Sequence, residues 1–175
     1  MTVSYRFATP ADLAPLKTLV ESAYRGDSAR GGWTHEADLL DNERIADADL
    51  AAVLANPAQR VILAEAGGTL HGCITITDLG TDLGTDLGAG LAYLGMFAVD
   101  PARQANGLGR RLLERAEAAA RREFAATAME MTVIAARPEL IAYYQRRGYH
   151  LTGETRDFPE PGWNLPMAVL QKPLC

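Results

Sequence analysis

The sequence predicts a single α/β domain, and three observations carry that reading. Two apolar, β-rich runs flank Gly67-Gly68 in the manner of a strand hairpin, and from Leu91 onward strand and helix patterns alternate. No Ser/Pro/Gly linker divides the 175 residues, a length that suits one domain with its own core. A composition of 48% hydrophobic and 22% charged residues is that of a globular chain and excludes disordered, collagen-like and coiled-coil classes.

The elements follow in order. Val3-Ser4-Tyr5-Arg6-Phe7 alternates apolar and polar residues, as a half-buried strand does. Thr9-Pro10-Ala11-Asp12 combines an N-cap hydroxyl, a proline at the first helical position and an acid three residues after the cap. A helix through about Tyr24 follows, with Leu13, Leu16, Val20 and Ala23 on one face and Pro15 expected to bend its first turn. The polar stretch from Arg25 to Ala58 is expected to hold one or two short helices, the better one carrying Leu50, Val53 and Leu54 and ending at Asn56-Pro57. Val61-Ile62-Leu63-Ala64 and Cys73-Ile74-Thr75-Ile76 then form the hairpin.

Thr-Asp-Leu-Gly recurs from Thr77 through Gly88, a period far too short for a solenoid, and reads as an extended, solvated loop between two strands. A calcium site on Asp78, Asp82 and Asp86 is the alternative, because evenly spaced carboxylates can ligate hard cations. Leu91 to Val99 is an apolar central strand ended by Asp100-Pro101. After a glycine-containing loop, a helix from Arg110 carries Leu112, Leu113, Ala116, Ala120 and Phe124 on one stripe. Met129 to Ile134 is a strand, Pro138-Glu139 opens a helix that stops at Gly148, Tyr149 to Thr155 is a further strand and Met167 to Leu170 the last.

Charge and cysteine content narrow the function. Seventeen Lys and Arg against 22 Asp and Glu give −5, so no net positive field draws the chain to nucleic acid. Two cysteines, Cys73 and the last residue Cys175, without a CxxC or a His/Cys cluster, point to a reduced, cytoplasmic protein with no structural metal. No early hydrophobic run and no apolar stretch of about 18 residues suggests a membrane partner.

The segment Gln104-Ala105-Asn106-Gly107-Leu108-Gly109-Arg110 has the shape of an anion site. A strand, a tight glycine loop and a helix start present unpaired backbone N–H groups and the positive end of the helix dipole. Gly107 permits close backbone approach to a ligand, Gly109 close packing of the helix, and Arg110-Arg111 add positive charge. The pattern is neither GxGxxG nor GxxxxGK[ST], which argues against a dinucleotide or P-loop enzyme; a tight turn without a ligand is the plain alternative.

Gln-x-x-Gly-x-Gly behind a strand ending Phe97-Ala98-Val99-Asp100-Pro101, then helix, strand and Tyr144-Gln145-Arg146-Arg147-Gly148-Tyr149, resembles the GCN5-related N-acetyltransferase (GNAT) family. The likeness runs from about Tyr93 to Gly153, and the earlier helix and hairpin order agrees with it. It implies a mixed central sheet of about six to seven strands flanked by about four helices, in which the Leu91–Val99 and Met129–Ile134 strands are parallel but splayed, with the thioester of acetyl-coenzyme A in the gap. It implies further that Gln104 to Gly109 (Gln104, Ala105, Asn106, Gly107, Leu108, Gly109) hold the pyrophosphate by backbone amides, with Arg110 beside them, and that Phe97, Ala98 and Val99 pair with the pantetheine arm. Possible homodimers are also in keeping with the family.

Tyr144 stands four residues before the helix-closing glycine, where the resemblance implies a hydroxyl that hydrogen-bonds and protonates the departing thiolate. A phenol and a thiol differ by about 1.5 pKa units, so full transfer is uphill by roughly 2 kcal/mol and hydrogen bonding to the thiolate can matter more. The alternative is a core aromatic four residues after Leu140; Tyr143 is expected to be structural. Arg137 replaces an asparagine common seven residues before the tyrosine, and could touch the cofactor or face solvent. Thr132 occupies the place of a frequent strand carboxylate, which leaves Glu130, two residues earlier on the same side, as the nearest candidate base, with an ordered water as its rival. An alkylamine near pKa 10.4 is less than about 0.1% neutral at pH 7, so some base is needed. His71 on the hairpin could titrate usefully but is expected at the surface. Trp33 and Glu36, in the loop after the first helix, are the candidate acceptor-binding residues, with an ordinary cap and lid as the alternative.

The expected function is therefore acetyl transfer from acetyl-coenzyme A to a primary amine of a small molecule or peptide, by direct attack in a ternary complex. A non-catalytic acyl-coenzyme A sensor or interaction module on the same fold is the rival. The acceptor lies in variable loops and is not readable from these motifs.

Overall fold

A computed structural model of the 175-residue chain describes residues 2–24, 45–80, 90–104, 106–159 and 164–175. Among them the strands β1 (Ser4–Phe7), β2 (Gln59–Ala66), β3 (Thr69–Asp78), β4 (Gly90–Val99), β5 (Ala126–Ile134), β6 (His150–Arg156) and β7 (Met167–Pro173) form one mixed sheet in the order β1-β2-β3-β4-β5-β7-β6. The described helices are α1 (Leu13–Tyr24), α2 (Asp47–Ala55), α3 (Leu108–Phe124) and α4 (Pro138–Gln145). The chain groups into two compact units, Met1–Thr77 with Leu94–Ala119, and Asp78–Tyr93 with Ala120–Cys175. The expected acceptor residues Trp33 and Glu36, together with Asp82, Asp86 and Ala105, lie outside the described residues.

In the unit containing the N-terminus, β1 and β3 flank β2 antiparallel, with Tyr5 opposite Ala64 and Ile62 opposite Ile74. The hairpin turns on Gly67 and Gly68, both at positive φ (60° and 77°), the geometry that a two-residue turn requires to match strand twist. The helical period of α1 buries Leu16, Leu19, Val20 and Ala23 against Leu50 of α2 and Val61, Leu63, Cys73 and Ala98 of the strands. Each fully buried leucine contributes roughly 1.5–3 kcal/mol of transfer free energy.

The start of α1 is built by Asp12, whose Oδ2 accepts the Thr9 N–H at 2.8 Å and the Thr9 hydroxyl at 3.0 Å. The Arg6 guanidinium then grips both oxygens, at 2.9 and 2.7 Å. A 3-10 turn, Pro10–Asp12, precedes the α-helix, so Pro15 is the third residue of α1. Its missing N–H belongs to the first turn of the α-helix, where a proline removes no intrahelical hydrogen bond.

In the other unit, β5 runs parallel to the first residues of β4 and antiparallel to β7, which in turn pairs with β6. The β4–β5 register runs from Gly90↔Ala126 to Tyr93↔Glu130, and the pair is parallel, as expected of the two central strands. Leu79 N–H bonds to Leu91 O at 2.9 Å, and Leu91 N–H to Gly80 O at 3.3 Å. Strand β6 is exposed along its whole length and bends at Gly153 (φ 87°), between two paired segments.

Candidate active site

The loop half of the site begins where β4 ends. Asp100 Oδ1 accepts the Ala102 N–H at 3.0 Å and opens the 3-10 turn Pro101–Arg103. Gln104 turns its side-chain amide back to the Val99 carbonyl at 3.3 Å, so this residue closes the base of the loop. Asn106 and Gly107 are exposed, and Gly107 adopts φ 73°, a conformation that costs an L-residue roughly 1–2 kcal/mol. Helix α3 starts at Leu108, two residues before the expected Arg110, because the glycine's left-handed conformation sets the chain directly into the helix. Arg111 N–H is bonded to Gly107 O at 3.1 Å. The N–H groups of Leu108, Gly109 and Arg110 therefore belong to the first turn, which has no intrahelical acceptors. Buried Leu108 anchors that turn.

The two arginines behave differently from simple free charges. Arg110 is mostly exposed and pairs with Glu114 one turn on, at 3.3 Å. Arg111 donates through Nε to the Tyr5 hydroxyl at 3.1 Å and lies 3.5 Å, through Nη1, from Asn106 O. Arg115 stacks over the Tyr5 ring at 4.0 Å, so α3 is tied to β1 by a cation–π contact beside a hydrogen bond.

On β4 the backbone is irregular. Met96 has φ 39°, left-handed for a residue with a side chain, and its carbonyl accepts the Cys73 thiol at 3.6 Å. The next carbonyl, Phe97 O, accepts the Tyr24 hydroxyl. Burial pushes the Cys73 thiol up to about 12 although the Ala98 N–H points at its sulfur, so it is a donor and packing group, not a nucleophile. Asp100 N–H, two residues on, is bonded to His71 O at 2.9 Å. With Ala98 and Asp100 both turned to β3, strand alternation leaves the N–H of Val99 on the opposite edge of β4.

The other unit carries the remaining candidates. Tyr144 is buried at 6% exposure, with edge-to-face contacts to Tyr143 (5.2 Å) and Tyr149 (5.9 Å). Its carbonyl accepts the N–H groups of Arg147 and Tyr149, at 2.8 and 3.2 Å, and Gly148 at φ 89° makes that turn possible. Tyr143, expected to be structural, lies under the Arg147 guanidinium at 3.4 Å. Arg137 precedes α4 and pairs with Glu139 at 2.5 Å, its side chain only 13% exposed, which holds the Glu139 carboxyl below the usual range.

Glu130 is 3% exposed. One oxygen accepts from Arg156 at 2.6 Å and the other from Gln171 at 2.8 Å. Tyr93, opposite Glu130 in the register, hydrogen-bonds the Thr132 hydroxyl at 2.7 Å. His71 corrects an expectation: it is buried, not at the surface, because Nδ1 lies 3.1 Å from Asp100 Oδ2. The contacts of Tyr24, Cys73 and the His71–Asp100 pair have no local signal in the sequence beyond Asp100 before Pro101, which marks the end of the strand there and caps the following turn in the structure.

Among the described residues, no helix is long and apolar enough to cross a membrane. The profile described as the Acetyltransferase (GNAT) family matches residues 19–149. Of solved structures, an N-acetyltransferase from Staphylococcus aureus Mu50 superposes with a TM-score of 0.77 at 12% identity, covering 99% of both chains. The PaiA N-acetyltransferase of Thermoplasma acidophilum, in complex with coenzyme A, gives 0.73 at 16% identity and again 99% of both. The yncA protein of Salmonella typhimurium, with its cofactor acetyl-CoA, gives 0.73 at 21% identity, covering 100% of this chain and 95% of that one. No curated protein matches by sequence. These likenesses show the fold, and since the profile spans well over half of the 175 residues, the chain belongs to the GNAT acetyltransferase family.

Proposed function

We propose that the protein transfers the acetyl group of acetyl-coenzyme A to a primary amine of a small molecule or peptide, by direct attack within a ternary complex. The observation that carries this reading is the exposed Asn106-Gly107 turn, with Gly107 at φ 73°, leading directly into the first turn of a 17-residue helix. That turn suits a pyrophosphate, because three first-turn N–H groups and the helix dipole converge where a ligand can approach without meeting a Cβ. Acetyl-coenzyme A bound in this way supplies an activated thioester.

The chain's residues then have separate tasks. Leu108, Gly109 and Arg110 offer N–H groups to the phosphates, with Asn106 and Gly107 forming the turn and Gln104 holding its base. The arm pairs with Phe97, Ala98 and Val99; with Ala98 N–H committed to Cys73, Val99 N–H is the donor we assign to the thioester carbonyl. The Tyr144 hydroxyl stabilises the departing thiolate. Arg137, locked by Glu139, adds positive charge for the cofactor. Both oxygens of Glu130 are engaged, and a base must reach its proton directly or through one water. This favours water as the proton acceptor, with Glu130 organising the sheet. Trp33 and Glu36 are assigned to the acceptor by the resemblance alone. We take the 175 residues as one functional domain because the family match crosses both units, and two unpaired cysteines support a cytoplasmic location.

The test is thiol release from acetyl-coenzyme A across a panel of amines, with coenzyme A titrated calorimetrically in parallel. Turnover with at least one amine is expected, and Tyr144→Phe should lower kcat by about tenfold or more with little change in KM. Tight coenzyme A binding without turnover on any amine would favour the sensor reading.

A further inference from the structure

Two adjacent residues of β3 touch the two ends of the loop. His71 reaches the strand side: its carbonyl accepts Asp100 N–H at 2.9 Å, and its Nδ1 lies 3.1 Å from Asp100 Oδ2. Asp100 in turn caps the Pro101–Arg103 turn through Oδ1, and its carbonyl accepts Arg103 N–H at 2.8 Å. Gly72 reaches the helix side. A Cβ built there would lie 2.6 Å from Leu112 Cδ1 and 3.7 Å from Leu108 Cδ2, and 3.3 Å from Ala98 O. Strand β3 and helix α3 therefore meet with no room for a side chain.

His71 is 7% exposed, and its Nε2 is buried with no hydrogen-bond partner among the described residues. A carboxylate at Nδ1 requires the proton there, which leaves Nε2 as a bare lone pair in the neutral ring. Burying a ring with one nitrogen unsatisfied is unfavourable, and an apolar residue would avoid it. Among the described residues, the imidazole's one polar contact is to the residue that opens the loop.

We propose that His71 is a positioning residue for the anion-binding loop, acting through Asp100, and that His71 and Gly72 together set the distance between the loop's two ends. This rests on the reading of the loop as the coenzyme A site. Loss of the imidazole frees one carboxylate oxygen of Asp100, loosens the turn that leads to Gln104, and spreads the amides of Asn106 to Gly109 over more conformations. Affinity for the pyrophosphate then falls, while the chemistry at the far end of the cofactor does not change.

The experiment compares His71→Ala and His71→Asn in the full chain. The asparagine Nδ2 sits where the imidazole Nδ1 does and can donate to the same oxygen. Coenzyme A affinity is read by calorimetry, kcat and KM by thiol release, and amide exchange of Gln104 and of Asn106 to Gly109 without ligand. His71→Ala is expected to weaken coenzyme A binding and raise KM by about tenfold, with kcat lowered less than about twofold, and to speed exchange in the loop. His71→Asn should recover most of both. Wild-type loop exchange in His71→Ala would overturn the brace, as would His71→Asn matching His71→Ala while melting like the wild type. If the wild type fails to bind coenzyme A but loop exchange still responds to His71 and recovers with asparagine, the brace stands and the cofactor reading falls.

Discussion

Arg156 donates to Glu130 across 2.6 Å, from a strand exposed along its length to a carboxylate that is 3% exposed. Gln171 takes the second oxygen, and Glu154 flanks the same guanidinium at 2.7 Å. Burying a carboxylate is costly unless it is hydrogen-bonded, and both oxygens of Glu130 are used by groups of the fold. Glu130→Gln should therefore keep kcat within about tenfold of wild type, where loss of a general base costs about 10²–10⁴. Arg156→Ala should destabilise by about 1–2 kcal/mol, less than a fully buried pair because the arginine side chain is 40% exposed. Steady-state kinetics with a good acceptor and urea unfolding measure the two; a kcat collapse in Glu130→Gln would return Glu130 to the role of base.

Gly107 and Gly68 separate conformation from function. Both hold positive φ, 73° and 77°, and neither has a neighbour that a Cβ would strike, the nearest being Arg111 Nη1 at 3.5 Å from Gly107. Substitution by alanine should cost each about 1–2 kcal/mol through backbone strain. Gly107→Ala is also expected to weaken coenzyme A binding by about tenfold, because the strained turn carries the amides. Gly68→Ala should leave that affinity unchanged. Calorimetric titration of both variants checks the contrast, and equal affinities would detach Gly107 from the ligand.

The two halves of this contrast were unequally readable from sequence. Apolar alternation and the stripe on α3 are local patterns that mark strands and helices because each repeats with the period of its own backbone, and the glycine pair marks a turn because it tolerates positive φ. Burial of a polar side chain is not local. His71 reads as a surface residue until Asp100, 29 positions on, lies beside it, and Glu130 as a candidate base until Arg156 and Gln171 reach both of its oxygens. The start of α3 reads two residues late in the sequence because Gly109, a poor helix former, sits inside its first turn.

Asp12 provides a pH signature for the N-terminal unit. The two hydrogen bonds from Arg6 hold its carboxyl well below the usual carboxylate range, and the Thr9 bonds act in the same direction. A depressed folded-state pKa means that this stability is fully present above the unfolded value near 3.9 and is lost as pH falls further toward the folded value. Arg6→Gln should lower stability at pH 7 by about 1–2 kcal/mol, a figure reduced for the 44% exposure of the arginine side chain. Its deficit should shrink as the pH drops below about 4. Urea denaturation at pH 7 and pH 3 measures this; a deficit that is constant with pH would remove the ion pair as its cause.

Cys73 and Cys175 differ in reach and in acidity. Cys73, on β3 beside β4, is fully buried and its thiol is pushed up to about 12, while Cys175 is exposed. Alkylation needs a thiolate that the reagent can reach. At pH 8 the native chain should take up one label, on Cys175, and the second only in denaturant. Cys73→Ala removes the contact to Met96 O and the sulfur beneath Ala98, so β4 should lose about 1–2 kcal/mol of support at the irregular Met96 backbone. Mass spectrometry of labelled peptides and a melting curve of the variant check both parts. Rapid native labelling of Cys73 would mean that β4 opens at this position far more often than a sealed core permits.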